Sequence, residues 1–533
     1  MRTLLTGKQM KAVDTFTIRE VGIPSMVLME RAAMGVAREA RKMLEKAGIS
    51  RVVALCGTGN NGADGVAAAR MLAVHGIEAA VAIAGNLDQA SEEFTSQLSI
   101  AKKAGVHVYT ADEWMQDTRP CVLLDALFGV GLSRDVEGAY AAYVRHVNAL
   151  RGEENGIVGV LAVDLASGIN AQTGRVMGVA VQADVTVTFG WEKRGTLLYP
   201  GRALSGNVIV EDIGFWDACL KNVELGVEED EEGLAFSLEA GDLLEIPKRE
   251  AYSNKGSFGK VLIVAGCVGM CGAAYLSALS AYRTGAGLVK ILTVEENRPT
   301  LQMLLPEAIM AIYTPSQLLE GREEFRKELD EECRWADVVV LGPGLGSDSY
   351  VEYLVEDILT MACTPVVVDA DGLNAIAAHP YLTSYFTENI IITPHLGEMA
   401  RLTGQSISQI QENLVQTAQA YAARYGITCV LKDATSVIAS PEREVFLNAS
   451  GTSAMAKAGS GDVLTGVIAG LLALGMEVTQ AARLGAYVHG LAGELAQTAS
   501  GRHGLLAREL ADAVGQIMDG RTTKERKREN DTL

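Results

Sequence analysis

Aromatic residues are scarce in this chain: Phe, Trp and Tyr make up 5% of 533 residues, although apolar residues as a whole make up 48%. The interior must therefore be built from Val, Ile, Leu and Ala. With 56 glycines, that composition fits layered α/β domains rather than a disordered or fibrous chain. Basic charge is also short, with 46 Lys and Arg against 66 Asp and Glu, and the net charge of −20 repels a nucleic-acid backbone or an anionic membrane. The basic cluster KERKRE at 524–529 alternates in sign and reads as a solvated terminus, not a nucleic-acid site. The eight cysteines are scattered, and the close pair Cys267 and Cys271 has neither CxxC nor zinc-ribbon spacing. Reduced thiols in a cytoplasmic protein are expected. Long hydrophobic runs are missing as well: the longest uncharged helical candidate, 463–476, has 14 residues against the ~20 that cross a bilayer. The opening MRTLLTGKQM lacks the apolar segment of a secretion signal. Neither a membrane span nor a nucleic-acid partner is expected.

What is present is a repeated grammar. Short Val- and Ile-rich runs end in Gly, Asp, Asn or Ser and feed Ala-rich helical patterns, the signature of strands in a parallel sheet. One group comprises RVVALCGTG (51–59), EAAVAIAG (78–85), CVLLDALFG (121–129), IVGVLAVDLASG (157–168) and ADVTVTFG (183–190). A second comprises GKVLIVAG (259–266), LVKILTV (288–294), ADVVVLGPGLG (336–346), TPVVVDADG (364–372), NIIITPHLGE (389–398) and ITCVLKDATSVIAS (427–440). Between the groups, the like charges at 228–232 oppose packing. The expected organisation is a domain at 1–220, an acidic linker at 221–240, a second domain at 241–520 and a charged tail at 521–533. Ligands of open parallel sheets bind outside the carboxyl ends of the strands, so the polar residues closing these runs are the site candidates.

In the first half, GTGNNGADG (57–65) contains GxGxxG between a strand and a helix. The acidic residue that a dinucleotide site places about 20 positions on is only Glu78, which opens the next strand, so a tight glycine turn competes with that reading. Asn61, Asp125 and Ser167 end three successive core strands. On neighbouring strands they would form an oxygen cage of one negative charge, better suited to a monovalent ion than to Ca²⁺. Asp164 is a separate carboxylate, free for proton transfer.

MKAVDTFTIREVGIPSMVLMERAA, NNGADG, DALFGVGLSRDVEGAY and VDLASGINAQTG together resemble, in order and spacing, the NAD(P)H-hydrate epimerase (YjeF N-terminal) family over about residues 1–215. The resemblance implies a Rossmann-like fold that interconverts the R and S epimers at C6 of hydrated NADH or NADPH. It implies substrate contacts from Asn60, Asn61, Gly62, Ala63 and Asp64, from Gly129, Val130, Gly131, Leu132, Ser133, Arg134 and Asp135, and from Tyr140. It makes Asp164 a substrate-binding, acid-base residue, and Asn61, Asp125 and Ser167 the ligands of a potassium ion. Ala166 stands where the family has proline and Asn170 where aspartate is common.

The second half carries AKAGSGDVLTG ahead of an apolar stretch that reads as a buried helix. A Gly-rich turn feeding a helix presents unpaired N–H groups and the positive end of the helix dipole to phosphate or developing oxyanion charge. Asp462 at that start can accept a proton from a substrate hydroxyl; an ordinary Asp N-cap is the competing reading, against which the flanking glycines weigh. No GxxxxGK[ST] occurs, so nucleotide phosphates would need another holder, such as LKDATS, where Lys432 ends an apolar strand.

NKGSFGKVLIVAG, GAGLVKI, LGPGLG, VVDADGLN, TPHLGEMARL, LKDATS and AKAGSGDVLTG resemble the ADP/ATP-dependent NAD(P)H-hydrate dehydratase family, of ribokinase-like fold, over about residues 240–520. The fused pair is similar to the bifunctional NAD(P)H-hydrate repair family, in which one domain supplies the epimer that the other consumes. The resemblance implies that Asp462 deprotonates the substrate hydroxyl beside the Gly461 backbone. Lys432, Asp433, Ala434, Thr435, Ser436 and Gly461 would hold ADP or ATP, and Gly346, His395 and Asp462 would touch the hydrate. Mg²⁺ is expected with the nucleotide, Glu398 being a candidate ligand. Asp433 stands where the family has glycine, and Cys267 where serine is frequent. The alternative reading is a ribokinase-fold vitamin kinase, of hydroxymethylpyrimidine, thiazole or pyridoxal type, fused to a non-catalytic nucleotide-binding domain. Apolar Met26, Val27, Met29 and Ala33 are a candidate surface for a homo-oligomer.

Overall fold

The computed structural model describes residues 1–152, 156–225, 233–442 and 444–520. The expected tail at 521–533 and residues 226–232 of the expected linker lie outside the described residues. The chain forms two compact units, Thr3–Leu234 and a second made of Met1–Arg2 with the chain from Ala235 onward.

In the first unit the apolar runs become β1 (Arg51–Cys56), β2 (Glu78–Ile83), β3 (His107–Thr110), β4 (Cys121–Ala126), β5 (Ile157–Val163), β6 (Val185–Phe189) and β7 (Asn207–Glu211). All pair in parallel, in the order β3-β2-β1-β4-β5-β6-β7. Val52, Ala54 and Cys56 face the helices Ser25–Ala47 and Asn60–Val74, while Val53 and Leu55 face the helix Gly138–Leu150. That two-residue alternation buries both faces of the sheet, each aliphatic side chain contributing about 1.5–3 kcal/mol. Five of these strands coincide with the five apolar runs. The other two, β3 and β7, are the sheet's edges, and their half-exposed HVYT and NVIVE lack a continuous apolar signal. The order reverses between β1 and β4, so the loops after those strands diverge and leave a crevice. Met29 and Ala33, expected on an oligomer surface, are instead buried in this unit's own core, and Val27 is exposed.

The second unit contains β8 (Lys260–Val264), β9 (Leu288–Val294), β10 (Ile309–Tyr313), β11 (Val338–Leu341), β12 (Val366–Val368), β13 (Ile390–Ile392), β14 (Thr428–Leu431), β15 (Ser436–Ala439) and β16 (Val445–Asn448). Their order is β10-β9-β8-β11-β12-β13-β14-β15-β16. The first seven in that order pair in parallel, whereas β14-β15-β16 are antiparallel. The run 427–440, expected as one strand, is therefore a hairpin that turns within LKDATS, because the polar Lys432–Thr435 stretch interrupts the apolar alternation. The helix Ser460–Ala473 is buried from Val463 to Ala473, as its all-round apolar sequence requires.

Candidate active sites

In the first unit, the helix Asn60–Val74 starts directly after β1 at the reversal of strand order. Gly62 is required there, since a Cβ would lie 1.8 Å from the Gly57 carbonyl oxygen. Glu78 sits at the amino end of β2, where its Oε1 accepts from Arg119 Nη1 at 2.8 Å, so it faces away from any ligand over the carboxyl ends. The crevice opens into a cavity of about 630 Å³ lined by Asn60, Asn61, Asp64, 129–134, Tyr140 and Asp164. Most of the residues expected to touch the hydrate are therefore brought together; Gly62, Ala63 and Asp135 are not among the lining residues.

Asp125, at the end of β4, is fully buried. It accepts from the Ser167 N–H at 2.7 Å on Oδ2 and from Ser167 Oγ at 2.6 Å on Oδ1. Ser167 Oγ also lies 3.3 Å from the Phe128 carbonyl oxygen. Burial pushes the Asp125 carboxyl up to about 6 against those hydrogen bonds, and no protein cation pairs with it among the described residues. Asn61 packs against Gly129, whose Cβ would lie 3.0 Å from its Oδ1, and the buried Asn61 Nδ2 has no partner. Among the described residues, no set of His, Cys, Asp and Glu could hold a metal ion through three of these side chains.

Asp164 follows β5 with φ 68, one of two non-glycine residues with positive φ among the described residues; the other, Ala370 at φ 49, lies in the second unit's site. Its Oδ1 accepts from Lys193 Nζ at 2.6 Å and from Thr188 Oγ1 at 3.1 Å. Lys193 was not anticipated, nor was Asp14, which lines the same cavity from the helix Gly7–Phe16. A lysine just past an apolar strand, in FGWEKRG, was the available signal for the first.

In the second unit, Gly459 (φ 91) caps the helix Ser460–Ala473 and places Asp462 in its first turn. The Asp462 carboxyl is pushed up to about 6, mainly by burial and then by the neighbouring Asp369, while Lys432 opposes the shift. Lys432, at the end of β14, donates to Asp369 Oδ1 at 2.8 Å, and Thr465 Oγ1 donates to Asp369 Oδ2 at 2.9 Å. A Cβ on Gly461 would stand 3.3 Å from Lys432 Nζ and 3.5 Å from Asp369 Oδ2, so only glycine lets the helix start rest on this ion pair. Lys432 thus lies half-buried beneath the GSGD turn, while Asp433 and Ala434 are exposed and Thr435 is buried in the hairpin.

His395 ends the loop after β13 and caps the helix Leu396–Thr403, its Nδ1 accepting from the Gly397 N–H at 2.9 Å, with 53% of its side chain exposed. Glu398 returns the contact, Oε2 accepting from the His395 N–H at 2.8 Å; burial raises its carboxyl, against the pull of Lys432. Gly346 (φ 78) donates its N–H to Asp371 Oδ2 at 2.8 Å and lies against Cys267. Asp369, Asp371, Thr465 and His489 were missed. His489 Nε2 contacts the Ser460 carbonyl oxygen at 2.9 Å, and burial lowers this imidazole to about 4, so it is a neutral N–H donor under the turn. Asp369 stood in VVVDADG as the polar residue closing an apolar strand, a signal passed over.

The family model for NAD(P)H-hydrate dehydratase matches residues 261–516, and that for the YjeF-related protein N-terminus matches residues 25–195. An ADP/ATP-dependent NAD(P)H-hydrate dehydratase structure from Bacillus subtilis is 32% identical, covering 53% of this chain and 97% of that one at a TM-score of 0.45. The bifunctional NAD(P)H-hydrate repair enzyme of Thermofilum pendens is 36% identical over 93% of this chain and 92% of its own length. That of Moorella thermoacetica is 35% identical, over 97% of this chain and 96% of its own. With both units matched along such relatives, the chain belongs to the bifunctional NAD(P)H-hydrate repair enzyme family.

Proposed function

We infer that this chain repairs hydrated nicotinamide cofactors, the first unit interconverting (R)- and (S)-NAD(P)HX and the second dehydrating the S form to NAD(P)H at the expense of ADP or ATP. The observation that carries the reading is Asp462, a carboxylate on the first turn of a helix whose free N–H groups face the same site. With its carboxyl near 6 it is ionised at neutral pH yet basic enough to take the proton of the C6 hydroxyl. The hydroxyl oxygen then accepts the terminal phosphoryl group as the nucleotide's P–O bond breaks, converting a poor leaving group into phosphate. The ring nitrogen's electron pair expels that phosphate, and loss of a C5 proton restores the double bond. The turn's backbone and half-buried Lys432 stabilise the transferring phosphoryl group, since such transfer depends on positioning and electrostatics. Lys432 therefore acts on the phosphates from below, and Thr435, Ser436 and the exposed hairpin turn hold the rest of the nucleotide. Mg²⁺ fits Glu398, a buried carboxylate with a raised carboxyl, and would supply charge neutralisation to the nucleotide phosphates.

In the first unit, potassium fits Asp125, Ser167, the Phe128 carbonyl and Asn61 Oδ1: one buried carboxylate without a protein cation among the described residues, and neutral oxygens. When bound it would neutralise Asp125 and brace the loop against the helix start. We place the protein in the cytoplasm, where its cofactor substrates and its eight free cysteines belong. A vitamin kinase fused to a non-catalytic domain is set aside, because repair-enzyme relatives match along both units.

The test is purified protein with mixed NADHX epimers, nucleotide, Mg²⁺ and K⁺, followed by the return of dihydronicotinamide absorbance. Complete return is expected. Return that halts when the S epimer is spent removes the first unit's activity, and a stable phosphorylated product removes the second's.

A further inference from the structure

The cavity of the first unit holds more negative charge than a single acid-base aspartate needs. Asp14, Asp64 and Asp164 line it from three elements, the helix Gly7–Phe16, the helix Asn60–Val74 and the loop after β5. Lys193, 1% exposed, is the one ammonium enclosed with them among the described residues. It is fully committed: Nζ donates to Asp164 Oδ1 at 2.6 Å, to Thr188 Oγ1 at 2.8 Å and to the Phe189 carbonyl at 3.1 Å, which uses its three hydrogens. Lys11 and Arg134 reach the cavity only from its exposed rim, and no hydrogen bond or ion pair joins either to Asp14 or Asp64 among the described residues. With Glu93, four carboxyl groups stand around one committed ammonium, more charge than a partly closed cavity holds ionised, and the proton goes to a carboxyl that lacks the ammonium.

We propose that Asp64, in its protonated form, is the general acid of the epimerisation and works against Asp164 as the base. This rests on the epimerase reading of the same cavity. Asp64 is chosen over Asp14 because its helix begins at the crevice between β1 and β4, whereas Asp14 shares its side of the cavity with Glu93. Burial and then the charges of Asp164 and Asp14 push Asp64 well above the carboxylate range; Asp14 is also raised, by burial, Asp164 and Glu93. Behind Asp64, buried Cys56 is held neutral.

The chemistry balances without an oxidant or any further reactant. C6 of the hydrate carries both the hydroxyl and ring N1, a carbinolamine. Asp164 removes the hydroxyl proton, the C6–O bond becomes a carbonyl, and the C6–N1 bond breaks with its electron pair passing to N1. N1 takes the proton from Asp64. Rotation about C5–C6 presents the other face of the aldehyde; N1 then attacks it, returning its proton to Asp64, while the oxygen recovers the proton from Asp164.

The experiment compares Asp64→Asn, Asp64→Glu and Asp14→Asn with the wild-type full chain on pure (R)-NADHX, with dehydration of (S)-NADHX measured in the same preparations. Asp64→Asn is expected to slow epimerisation about 100-fold or more. It should also abolish the alkaline fall that the wild type shows as pH rises through the titration of Asp64. Asp64→Glu restores part of the rate and of that fall; Asp14→Asn keeps the fall but moves it to lower pH, because it removes a charge that raises Asp64. Unchanged dehydration certifies the second unit, and an unchanged melting transition of the first certifies its fold. Wild-type epimerisation in Asp64→Asn, or persistence of its alkaline fall, overturns the proposal. Absence of epimerisation in the wild type itself overturns the epimerase reading instead.

Discussion

Each unit places a lysine at the end of a strand run, Lys193 buried and Lys432 half-buried, and bonds it to a buried aspartate, Lys193 to Asp164 at 2.6 Å and Lys432 to Asp369 at 2.8 Å. Each also leaves a second aspartate nearby with no side-chain ion pair among the described residues, Asp64 in one and Asp462 in the other, and both carboxyls are raised by burial first. The parts are alike but their assignments differ. In the first unit the paired aspartate lines the cavity, where we propose it meets the substrate. In the second it lies under the Gly461 backbone, and the proposed proton transfer falls to Asp462 at the helix start. The same ion pair thus serves as reagent in one site and as foundation in the other, and what separates the uses is which carboxylate the backbone leaves open to the ligand.

The largest effect expected from breaking this contrast is catalytic. Asp462→Asn should cut dehydration of (S)-NADHX by about 100- to 10,000-fold while epimerisation of the R form continues, checked by separate assays of the two epimers. Asp369→Asn should not match it, because Asp369 supports the reacting groups without touching them.

Next in size is stability. Lys432→Met leaves Asp369 buried without its counter-charge, and losing one partner of a buried pair costs about 3–5 kcal/mol. Denaturant unfolding should show the second unit's transition weakened and the first unit's unchanged, and Lys193→Met should reverse that pattern.

Smaller again is the geometric cost of Gly461→Ala, whose added Cβ falls 3.3 Å from Lys432 Nζ and forces the amine or the turn to give way. A displacement of that order lowers dehydration by up to about 100-fold, visible in kcat more than in nucleotide KM. The pH dependence sharpens the same assignment. Asp462 must be ionised to act, so dehydration should fall as pH drops through about 6, and Lys432→Met, by removing the charge that opposes its raised carboxyl, should move that fall to higher pH.

The smallest expected effect concerns potassium. Asp125, raised to about 6, favours the folded state at pH below the unfolded carboxylate range and loses that contribution as pH rises through about 6. A bound cation opposes the loss, so replacing potassium with tetramethylammonium should lower the first unit's melting temperature by a few degrees above pH 6 and by less below it.

Much of this was legible in the sequence for a physical reason. Interior parallel strands are buried on both faces and announce themselves as apolar runs, and the polar residue that ends each run lands where ligands bind; Asn61, Asp125 and Asp164 fall at such ends, whereas Asp462 was marked by the glycine turn that opens its helix. Edge strands such as His107–Thr110 are half-solvated and carry no such mark. Asp14 was illegible because it sits on a surface helix where an acidic residue is unremarkable, and only the fold turns that position inward to the cavity. Lys193 and Asp369 were hidden differently: each is a charge whose partner is distant in sequence, 29 residues away for one and 63 for the other, and pairing at that separation is set by topology.

The left-handed backbone of Asp164 bears on how this site is dissected. Asparagine and aspartate tolerate that conformation better than other side chains, so Asp164→Asn removes the acid while preserving the main-chain path. Alanine adds about 1–2 kcal/mol of torsional penalty at the same position and deprives Lys193 of its carboxylate acceptor, leaving it Thr188 Oγ1 and the Phe189 carbonyl. An alanine scan would therefore report a collapsed scaffold where only a reagent had been lost, and the isosteric amide is the informative replacement.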